Sequence, residues 1–258
     1  MDFVDRVLAL QGDSPIHKFS LKIEDGNDPV DPNHIFSWIL NVLQRGVLDL
    51  DLCMDLIKDC QFPAEIFMSE TLVRLRLNNG YGPTIDFEDV NLPKLKSLHM
   101  DSAHLEKSGI GLSKLLSGCH MLEDLVLDEI STCLWDFSSV YVTTLKKLTY
   151  GWGGRDENTK SVSFDTLNLV YLEYVDTIAN KYPKVNFGTL VEARINLRIS
   201  DDQIWDVRIK AEASSSDHSE SDEENDMDEE ENTVVNATVF IMGLSNVKIL
   251  YLSANTLE

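Results

Sequence analysis

Two histidines and an aspartate lie close together in the sequence and are the first candidates for chemistry. His99 and His104 are five residues apart, with Asp101 between them, and imidazole and carboxylate groups are ordinary protein ligands of transition metals. No third ligand is placed with the two histidines, so the sequence favours one surface histidine and one loop histidine over a metal site. We therefore expect neither a metal nor a cofactor.

Other segments that suggest chemistry are equally incomplete. The GWGG segment at 151–154 has the glycine content of a phosphate loop, but no helix pattern and no suitably placed lysine follow it, which indicates a turn. Arg155 is the one residue that could serve as the loop arginine of an enzyme activator. Acidic neighbours such as Glu123 and Asp124 are expected in so acidic a chain and are interpreted as solvated charges. Because no nucleotide-binding, zinc-protease or nucleophile-elbow motif occurs, we predict that the protein is not an enzyme.

The charge of the chain excludes some classes of partner. The 258 residues include 44 acidic and 22 basic side chains, which give a formal net charge of −22. Half of the excess lies between Glu212 and Glu231, where 11 acidic residues occur without a lysine or arginine. The remaining charge of −11 still repels phosphate backbones, so we expect no binding to nucleic acid.

Cysteine spacing and hydropathy bear on the location of the protein. The four cysteines are irregularly spaced and include no CxxC pair, which indicates reduced thiols. No apolar run is long enough for a membrane span, and charges interrupt the first ten residues where a signal sequence would lie. We expect an intracellular protein of the cytoplasm or nucleus that does not bind membranes.

A repeated leucine pattern indicates the structural elements that would position a functional site. Nine windows fit the template L-x-x-L-x-L with hydrophobic replacements, and they begin at Ile16, Val47, Leu72, Leu95, Leu122, Leu145, Leu169, Leu190 and Val247. Successive windows start 31, 25, 23, 27, 23, 24, 21 and 57 residues apart. An interval in the twenties is typical of a leucine-rich-repeat solenoid. The sequence thus predicts an α/β fold, an irregular ribonuclease-inhibitor-like horseshoe with a parallel sheet on its concave side.

The boundaries of the solenoid follow from the repeat and from composition. We expect residues 1–199 to form the solenoid, 200–232 a disordered acidic insertion, and 233–258 the final repeat of the same solenoid. The last strand should stop near Leu252, and the six residues after it cannot cover a sheet edge. This arrangement suggests a truncated product, a fragment, or a partner that closes the edge.

Helices are expected between some of the strands. Asp31 or Asn33 should cap a helix with an apolar stripe that Gly46 ends, and a weaker helix should end at Gly118. The apolar N-terminal segment is expected to form a helical cap on the first repeat. The other connectors are rich in Gly, Pro, Asn and Asp and should be irregular loops.

The template also identifies a candidate binding surface. Because side chains alternate along a strand, the fourth and sixth template positions face the core, while the third, fifth and seventh face outward. From these outward positions we select the following candidates for binding a protein partner: Asp49, Asp51, Arg74, Arg76, His99, Asp124, Val126, Lys147, Tyr171, Glu173, Arg194 and Tyr251.

Opposite charges are expected side by side on this surface, because equivalent positions of paired strands lie about 4.8 Å apart. The expected neighbours are Asp49 and Arg74, Asp51 and Arg76, Asp124 and Lys147, and Glu173 and Arg194. Two interpretations remain open at this point. The charges either neutralise each other across a solvated sheet or form a strip that recognises a partner.

The acidic insertion has its own two interpretations. It is either a tolerated surface loop or a regulatory segment, because four serines stand just ahead of acidic residues, the context that acidophilic kinases prefer: Ser214, Ser216, Ser219 and Ser221. Phosphorylation would make the segment still more negative.

The order of the motifs resembles a known family. The segments FVDRVLAL, FPAEIFMSETLVRLRL, LPKLKSLHMDS, LLSGCHMLEDLVL and GLSNVKILYLSANTLE are similar to the leucine-rich-repeat region of plant F-box/LRR proteins, which often end in an FBD domain. The resemblance implies a substrate-recruiting subunit of a Skp–cullin–F-box ubiquitin ligase, whose repeats bind the substrate and whose F-box binds the Skp-type linker. An F-box would precede FVDRVLAL and an FBD would follow SANTLE, so binding of the Skp-type linker is not expected of this stretch.

The function predicted from these observations is that of a non-catalytic scaffold for protein–protein interaction. Two alternatives remain open: a degenerate F-box paralogue without ligase function, and an enzyme activator that uses the repeat surface. The sequence does not name the bound protein.

Overall fold

The protein is built around one large parallel sheet. The computed structural model describes residues 3–23, 30–54, 61–80, 82–105, 110–130, 142–151, 161–179, 181–198 and 232–253. The strands of these segments are β1 (Lys18–Ile23), β2 (Asp49–Met54), β3 (Arg74–Asn78), β4 (Ser97–Asp101), β5 (Asp124–Asp128), β6 (Lys147–Tyr150), β7 (Phe164–Asp165), β8 (Tyr171–Thr177), β9 (Val185–Asn186), β10 (Glu192–Arg198) and β11 (Ile249–Ser253). Nine of them form a sheet in the order β1-β2-β3-β4-β5-β6-β8-β10-β11, and β7 pairs with β9 in a separate two-stranded sheet.

The register of the nine strands matches the repeat template at every step. Lys18 pairs with Asp49, and Asp49 pairs with Arg74. The fourth template positions meet in the same way, and together they form one continuous row: Phe19, Leu50, Leu75, Leu98, Leu125, Leu148, Leu172, Ala193 and Leu250. All nine predicted strands are therefore confirmed, and the fold is the predicted leucine-rich-repeat solenoid.

A recurring backbone contact fixes this register at the entrance to each strand. The carbonyl oxygen of Leu48, at the second template position, accepts the N–H groups of Val73 at 2.8 Å and Arg74 at 3.0 Å. The equivalent pair of bonds joins each strand of the large sheet to the next, up to Val191 and the amides of Lys248 and Ile249. Connectors of different length can therefore be accommodated without shifting the strands relative to one another.

The core lies on one side of the large sheet and is lined by the first, fourth and sixth template positions. Leu50, Leu72, Leu98 and Leu169 have no exposed surface, and Leu125 is 1% exposed. The two strands at the ends of the sheet differ, because each has a neighbour on one side only. Phe19 is partly buried, and Leu250 is 46% exposed.

Helices connect several of the strands. They are α1 (Phe3–Gln11), α2 (Pro32–Gln44), a 3-10 helix (Ala64–Met68), α3 (Ile110–Ser117) and α4 (Asn232–Gly243). Asp31 is the N-cap of α2, and its side chain accepts the Asn33 N–H at 2.9 Å, as predicted. Beyond the end of α2, Gly46 adopts a φ of 76°, a conformation that favours glycine.

Gly118 follows α3 as predicted, but for a different reason. Its φ is not in the left-handed region. A Cβ atom at this position would lie 2.4 Å from the backbone oxygen of Val90, so the glycine is required by close packing. The Gly118 carbonyl also accepts the Leu92 N–H at 3.0 Å, which ties the end of the helix to the preceding connector.

The N-terminal helix α1 contacts the core through few of its apolar side chains. Only Leu8 of α1 is buried, whereas Phe3 and Leu10 are 81% and 88% exposed. The helix is held instead by a polar contact, because the Trp38 indole donates to Asp5 Oδ1 at 2.7 Å. The predicted N-terminal helix is thus confirmed, and it packs on the core through Leu8 and the partly buried Val4.

An aromatic cluster fills the core of the last repeats. Phe240 of α4 has no exposed surface, and its ring centroid lies 5.0 Å from that of Tyr182 and 5.7 Å from those of Phe164 and Tyr174. Neither α4 nor the β7–β9 pair was predicted. The expectation of an irregular loop was therefore wrong at Phe164–Asp165, where a short parallel strand forms.

Candidate protein-binding surface

The concave face, defined here as the side of the large sheet that points away from the core, carries every candidate binding residue predicted from the sequence. On β3, Arg74 and Arg76 are exposed, while Leu75 and Leu77 between them are buried. The same alternation places His99 on this face of β4 and Val126 on this face of β5. The remaining candidates also lie in register on the concave face, namely Asp49, Asp51, Asp124, Lys147, Tyr171, Glu173, Arg194 and Tyr251.

Among the candidate residues that the structure describes, cross-strand ion pairing is confined to the beginning of the sheet. Asp49 Oδ2 lies 3.5 Å from Lys18 Nζ and 3.7 Å from Arg74 Nη1. Asp51 instead accepts the Ser20 hydroxyl at 3.3 Å. Arg76 forms no hydrogen bond or ion pair within the described segments, although it is next to Asp51 in register. The interpretation that charges neutralise each other across the sheet therefore holds for Asp49 alone among the predicted acids.

The two later predicted pairs are in register but do not bind each other. Asp124 is aligned with Lys147, and Glu173 with Arg194. No ion pair joins either couple in the part of the chain that the structure describes. Arg194 Nε instead donates to Glu192 Oε1 on its own strand at 3.1 Å. The positions of these four charged residues were thus predicted correctly. The ion pairs that one interpretation implied between them do not form in the described structure.

His99 occupies the centre of the concave face among charges of both signs. Burial lowers the pKa of its imidazole, and the nearby Arg76 guanidinium lowers it further. The carboxylates of Asp101, Asp128 and Asp124 act in the opposite direction but do not reverse the shift. His99 is therefore neutral at physiological pH and can both donate and accept a hydrogen bond.

Acidic side chains collect at the carboxyl ends of β4 and β5. Asp101 Oδ2 accepts the Asn78 amide at 2.8 Å, and Ser102 Oγ lies 2.8 Å from Asp101 Oδ1 and 3.1 Å from Glu129 Oε2. Burial, together with the charges of Asp101 and Glu129, raises the pKa of the Asp128 carboxyl. These carboxylates make the sheet acidic at the carboxyl ends of β4 and β5.

Aromatic groups collect at the other end of the concave face. The Tyr171 hydroxyl donates to Glu173 Oε2 at 2.8 Å, and burial with this hydrogen bond raises the pKa of Tyr171 to about 12. Arg194 Cζ lies 4.7 Å from the centroid of the Tyr251 ring, a cation–π arrangement that fixes the position of the guanidinium. Sequence reasoning selected these residues by template position alone, without detecting their contacts.

Glu123, which the sequence placed among the solvated acids, is exposed but has cationic neighbours. Its carboxylate lies 2.9 Å from Lys146 Nζ and 3.7 Å from Lys96 Nζ, both at the second template position of adjacent repeats. The hydrogen bond and the charge of Lys146 lower the pKa of Glu123. These charged residues directly precede their strands. Their ion pairs therefore stabilise the stacking of adjacent repeats and are not part of the candidate binding surface.

The other residues considered for chemistry lie apart from one another or outside the described residues. His99 and His104 fall on a strand and in a connector, and no group of three or more possible metal ligands occurs within the described residues. Burial raises the pKa of the Cys119 thiol to about 12, and Cys119 Sγ lies 3.2 Å from the Leu115 carbonyl oxygen. Arg155 and residues 152–154 of the GWGG segment lie outside the described residues.

Two further predictions concern other parts of the chain. The acidic insertion, with Ser214, Ser216, Ser219 and Ser221, lies outside the described residues up to position 231. Among the helices that the structure describes, none is both long enough and apolar enough to span a bilayer.

Comparison with known proteins gives a consistent assignment. The family model described as "FBD-associated F-box protein At5g56370, LRR repeats" matches residues 35–185. The chain is similar over its whole length to the F-box/LRR-repeat proteins At4g14103 and At4g14096 of Arabidopsis thaliana, with 55% and 57% identity, and covers 62% and 49% of those proteins. It is 57% identical to the putative F-box protein At1g58310 of the same plant and covers 48% of it. No solved structure matches the sequence.

The chain therefore spans between about half and three fifths of the length of these curated relatives. The match to the repeat family and the aligned strands lead to the same conclusion: the chain belongs to the leucine-rich-repeat family of FBD-associated F-box proteins.

Proposed function

We propose that this chain is a non-catalytic protein-binding scaffold whose concave face recruits a substrate for a Skp–cullin–F-box ubiquitin ligase. One observation carries the proposal: nine strands in unbroken register present a continuous row of solvent-facing polar and aromatic side chains. Stacked repeats of this kind create extended surfaces that suit recognition of another macromolecule. The similar proteins of Arabidopsis thaliana are F-box/LRR-repeat proteins, which supports the ligase context.

The distribution of charge supports a protein partner over a nucleic acid. The described segments contain 19 acidic and 16 basic residues, so their net charge is −3, and most of the net charge of −22 belongs to residues outside them. On the concave face, acidic and basic side chains alternate, as at Asp49, Arg74 and Asp124. A phosphate backbone requires a contiguous basic surface, which this alternation does not provide.

Affinity purification from native cells tests the proposal. The wild-type chain is compared with a variant in which four concave residues are changed together, Asp51→Ala, Arg76→Ala, Tyr171→Ala and Tyr251→Ala. A matched control carries Glu65→Ala and Lys114→Ala, two exposed residues of the connecting helices. We expect the same proteins to be recovered with the wild type and the control, and the substrate to be lost with the concave variant.

The recovered proteins also separate the two interpretations of the ligase context. Recovery of a Skp-type linker and a cullin with the full-length protein supports the ligase function, whereas a substrate recovered without them supports a degenerate paralogue. Partners that are retained by the concave variant and lost by the helix variant would contradict the proposed binding surface.

The acidic insertion at 200–232 remains a prediction. We propose that its serines at 214, 216, 219 and 221 are phosphorylated by an acidophilic kinase, because each stands just ahead of acidic residues. Phosphopeptide mass spectrometry of protein from native cells is expected to detect the modification. Unmodified peptides at all four serines would contradict it.

A further inference from the structure

The chemical character of the concave face changes between β4 and β5. The outward positions of the first four strands contain no Val, Leu, Ile, Phe, Tyr or Trp side chain. From β5 onward, five such side chains point outward, and with Arg194 they define what we call the aromatic half of the concave face: Val126, Tyr171, Val175, Ile249 and Tyr251. The two parts of the sheet are therefore suited to different roles in a complex.

The aromatic half has the composition of an interface core. Ile249 is 44% exposed and Tyr251 is 53% exposed. Arg194 is held over the Tyr251 ring at 4.7 Å and bonded to Glu192 at 3.1 Å, so less side-chain entropy is lost when a partner binds. Tyrosine and arginine at the centre of an interface dominate binding energy, and charged residues at its rim contribute little.

Charge determines the kind of partner that fits this surface. At the third and fifth template positions, β5, β6, β8, β10 and β11 carry three carboxylates and two cationic groups. Of the two cations, Arg194 is already paired with Glu192. Lys147 is thus the one remaining cation at the third and fifth template positions of these five strands, and it is set against two carboxylates, those of Asp124 and Glu173.

The charged residues nearer the carboxyl ends of these strands do not reverse the excess of carboxylates over unpaired cations. Asp128 of β5 and Arg198 of β10 add one charge of each sign at outward positions. Next to Asp128, the carboxylates of Asp101 and Glu129 add further negative charge. A partner with a net positive charge complements this arrangement and is attracted to it over a distance.

We propose that the aromatic half of the concave face binds a positively charged protein segment that packs an aromatic or aliphatic side chain against Tyr171 and Tyr251. The first four strands form the charged rim of the same interface. This inference rests on the function proposed above and narrows it, since it states both where on the sheet the partner is bound and what kind of segment is recognised.

A random peptide library displayed on phage tests the proposal and does not require the partner to be identified. The full chain is immobilised, enriched peptides are sequenced, and one enriched peptide is synthesised with a fluorophore for anisotropy measurements. We expect lysine and arginine to be enriched over aspartate and glutamate, together with at least one aromatic or aliphatic residue. The dissociation constant should rise at least about tenfold for the Y171A/Y251A variant. The rise should be smaller for the D51A/R76A variant, which alters the charged rim, than for Y171A/Y251A.

A third double variant guards against loss of folding, which circular dichroism monitors in each case. The D124N/E173Q variant keeps the aromatic rings and removes two carboxylates, and it should weaken binding at least about threefold at low salt, with a smaller effect at high salt. The proposal is overturned if acidic peptides are enriched, or if D51A/R76A abolishes binding while Y171A/Y251A does not. Peptides that bind with unchanged affinity to all three variants would instead refute the concave face as the binding surface and, with it, the proposed function.

Discussion

Replacing a leucine by alanine should destabilise the solenoid more in a central repeat than in a terminal repeat, even when both leucines occupy the same template position. Leu125 and Leu250 occupy the same template position, but Leu125 is 1% exposed and Leu250 is 46% exposed. Replacing leucine by alanine removes three carbon atoms, which corresponds to about 2.4 kcal/mol of transfer free energy when the side chain is fully buried. The cavity left in a packed core raises the expected cost for Leu125→Ala to about 3 to 4 kcal/mol. For Leu250→Ala, about half of the transfer term applies and no enclosed cavity forms, which gives about 1 kcal/mol.

Urea denaturation followed by circular dichroism measures the two free energies of unfolding. Both variants remove the same three carbon atoms from a parallel strand, so the difference between them reports the different burial and packing of a central strand and an edge strand. Each repeat contacts only its neighbours, and the loss at Leu125 therefore weakens two repeat interfaces, whereas the loss at Leu250 weakens one. Equal destabilisation by the two substitutions would refute the reasoning. A greater effect of Leu250→Ala would show that the exposed end of the sheet is covered in solution.

Three further outcomes follow from individual contacts. Gly118→Ala should destabilise the fold by about 1 to 3 kcal/mol in the same denaturation assay, because the new methyl group would collide with the Val90 carbonyl. In a spectrophotometric titration, comparison with Tyr171→Phe should assign to Tyr171 a pKa of about 12, which Glu173→Gln should lower. Because this folded-state pKa is raised above the usual tyrosine value, the associated stability is present below about pH 10 and is lost as the pH rises through 12. Cys119, buried and with its pKa raised to about 12, should resist alkylation by iodoacetamide at pH 8 until urea is added, as mass spectrometry can show.

The sheet could be predicted from the sequence because two periodic patterns, one within each strand and one between repeats, indicate the same arrangement. Alternation along each strand separates core from surface, and the repeat interval sets which residues become neighbours. A shift of one residue would bring Arg74 and Arg76 into the core, so only one register is compatible with burial of the leucines. The predicted positions are therefore correct even at the sheet's ends, where Lys18 and Ile249 are aligned as expected.

The contacts of the candidate site could not be predicted in the same way. Register determines which Cα atoms are adjacent, but a long side chain chooses among several partners within its reach. Arg194 binds Glu192 on its own strand, although Glu173 is its cross-strand neighbour. The cation–π contact with Tyr251 spans a connector that includes the acidic insertion, and no local pattern in the sequence indicates it.

The connectors were predicted less well, because their apolar residues follow no fixed period. Phe164, Tyr182 and Phe240 come from three separate segments and meet in one cluster. Asp176 also departs from the pattern, since this carboxylate faces inward at 2% exposure and accepts hydrogen bonds from the Tyr174 hydroxyl and the Thr177 amide. A template that counts only hydrophobic residues cannot anticipate a buried acid that is satisfied by its own neighbours.

Three threonines make a recurring hydrogen bond between successive repeats. Just before the first template position, Thr71 and Thr144 each donate their hydroxyl to the carbonyl at the first position of the preceding repeat, at 2.9 Å and 2.7 Å. Thr189 makes the equivalent bond to Leu169 at 2.9 Å. The three threonines stand at a constant offset from the template, so the sequence does carry a signal for these bonds.

The side chains that stabilise the sheet differ from those that we propose recognise a partner, although both belong to the same strands. Leu75 and Leu77 hold β3 in the core, while Arg76 forms no hydrogen bond or ion pair with any other described residue. An exposed side chain of this kind can be replaced at a cost within about 0.5 kcal/mol of zero. Under the proposed function, the concave face can therefore change its partner through outward substitutions alone, provided that the inward leucines and the backbone bonds at the start of each strand are kept. Among repeat proteins with a common core, differences in substrate should thus map to the outward template positions, and in this chain chiefly to those of β5 through β11.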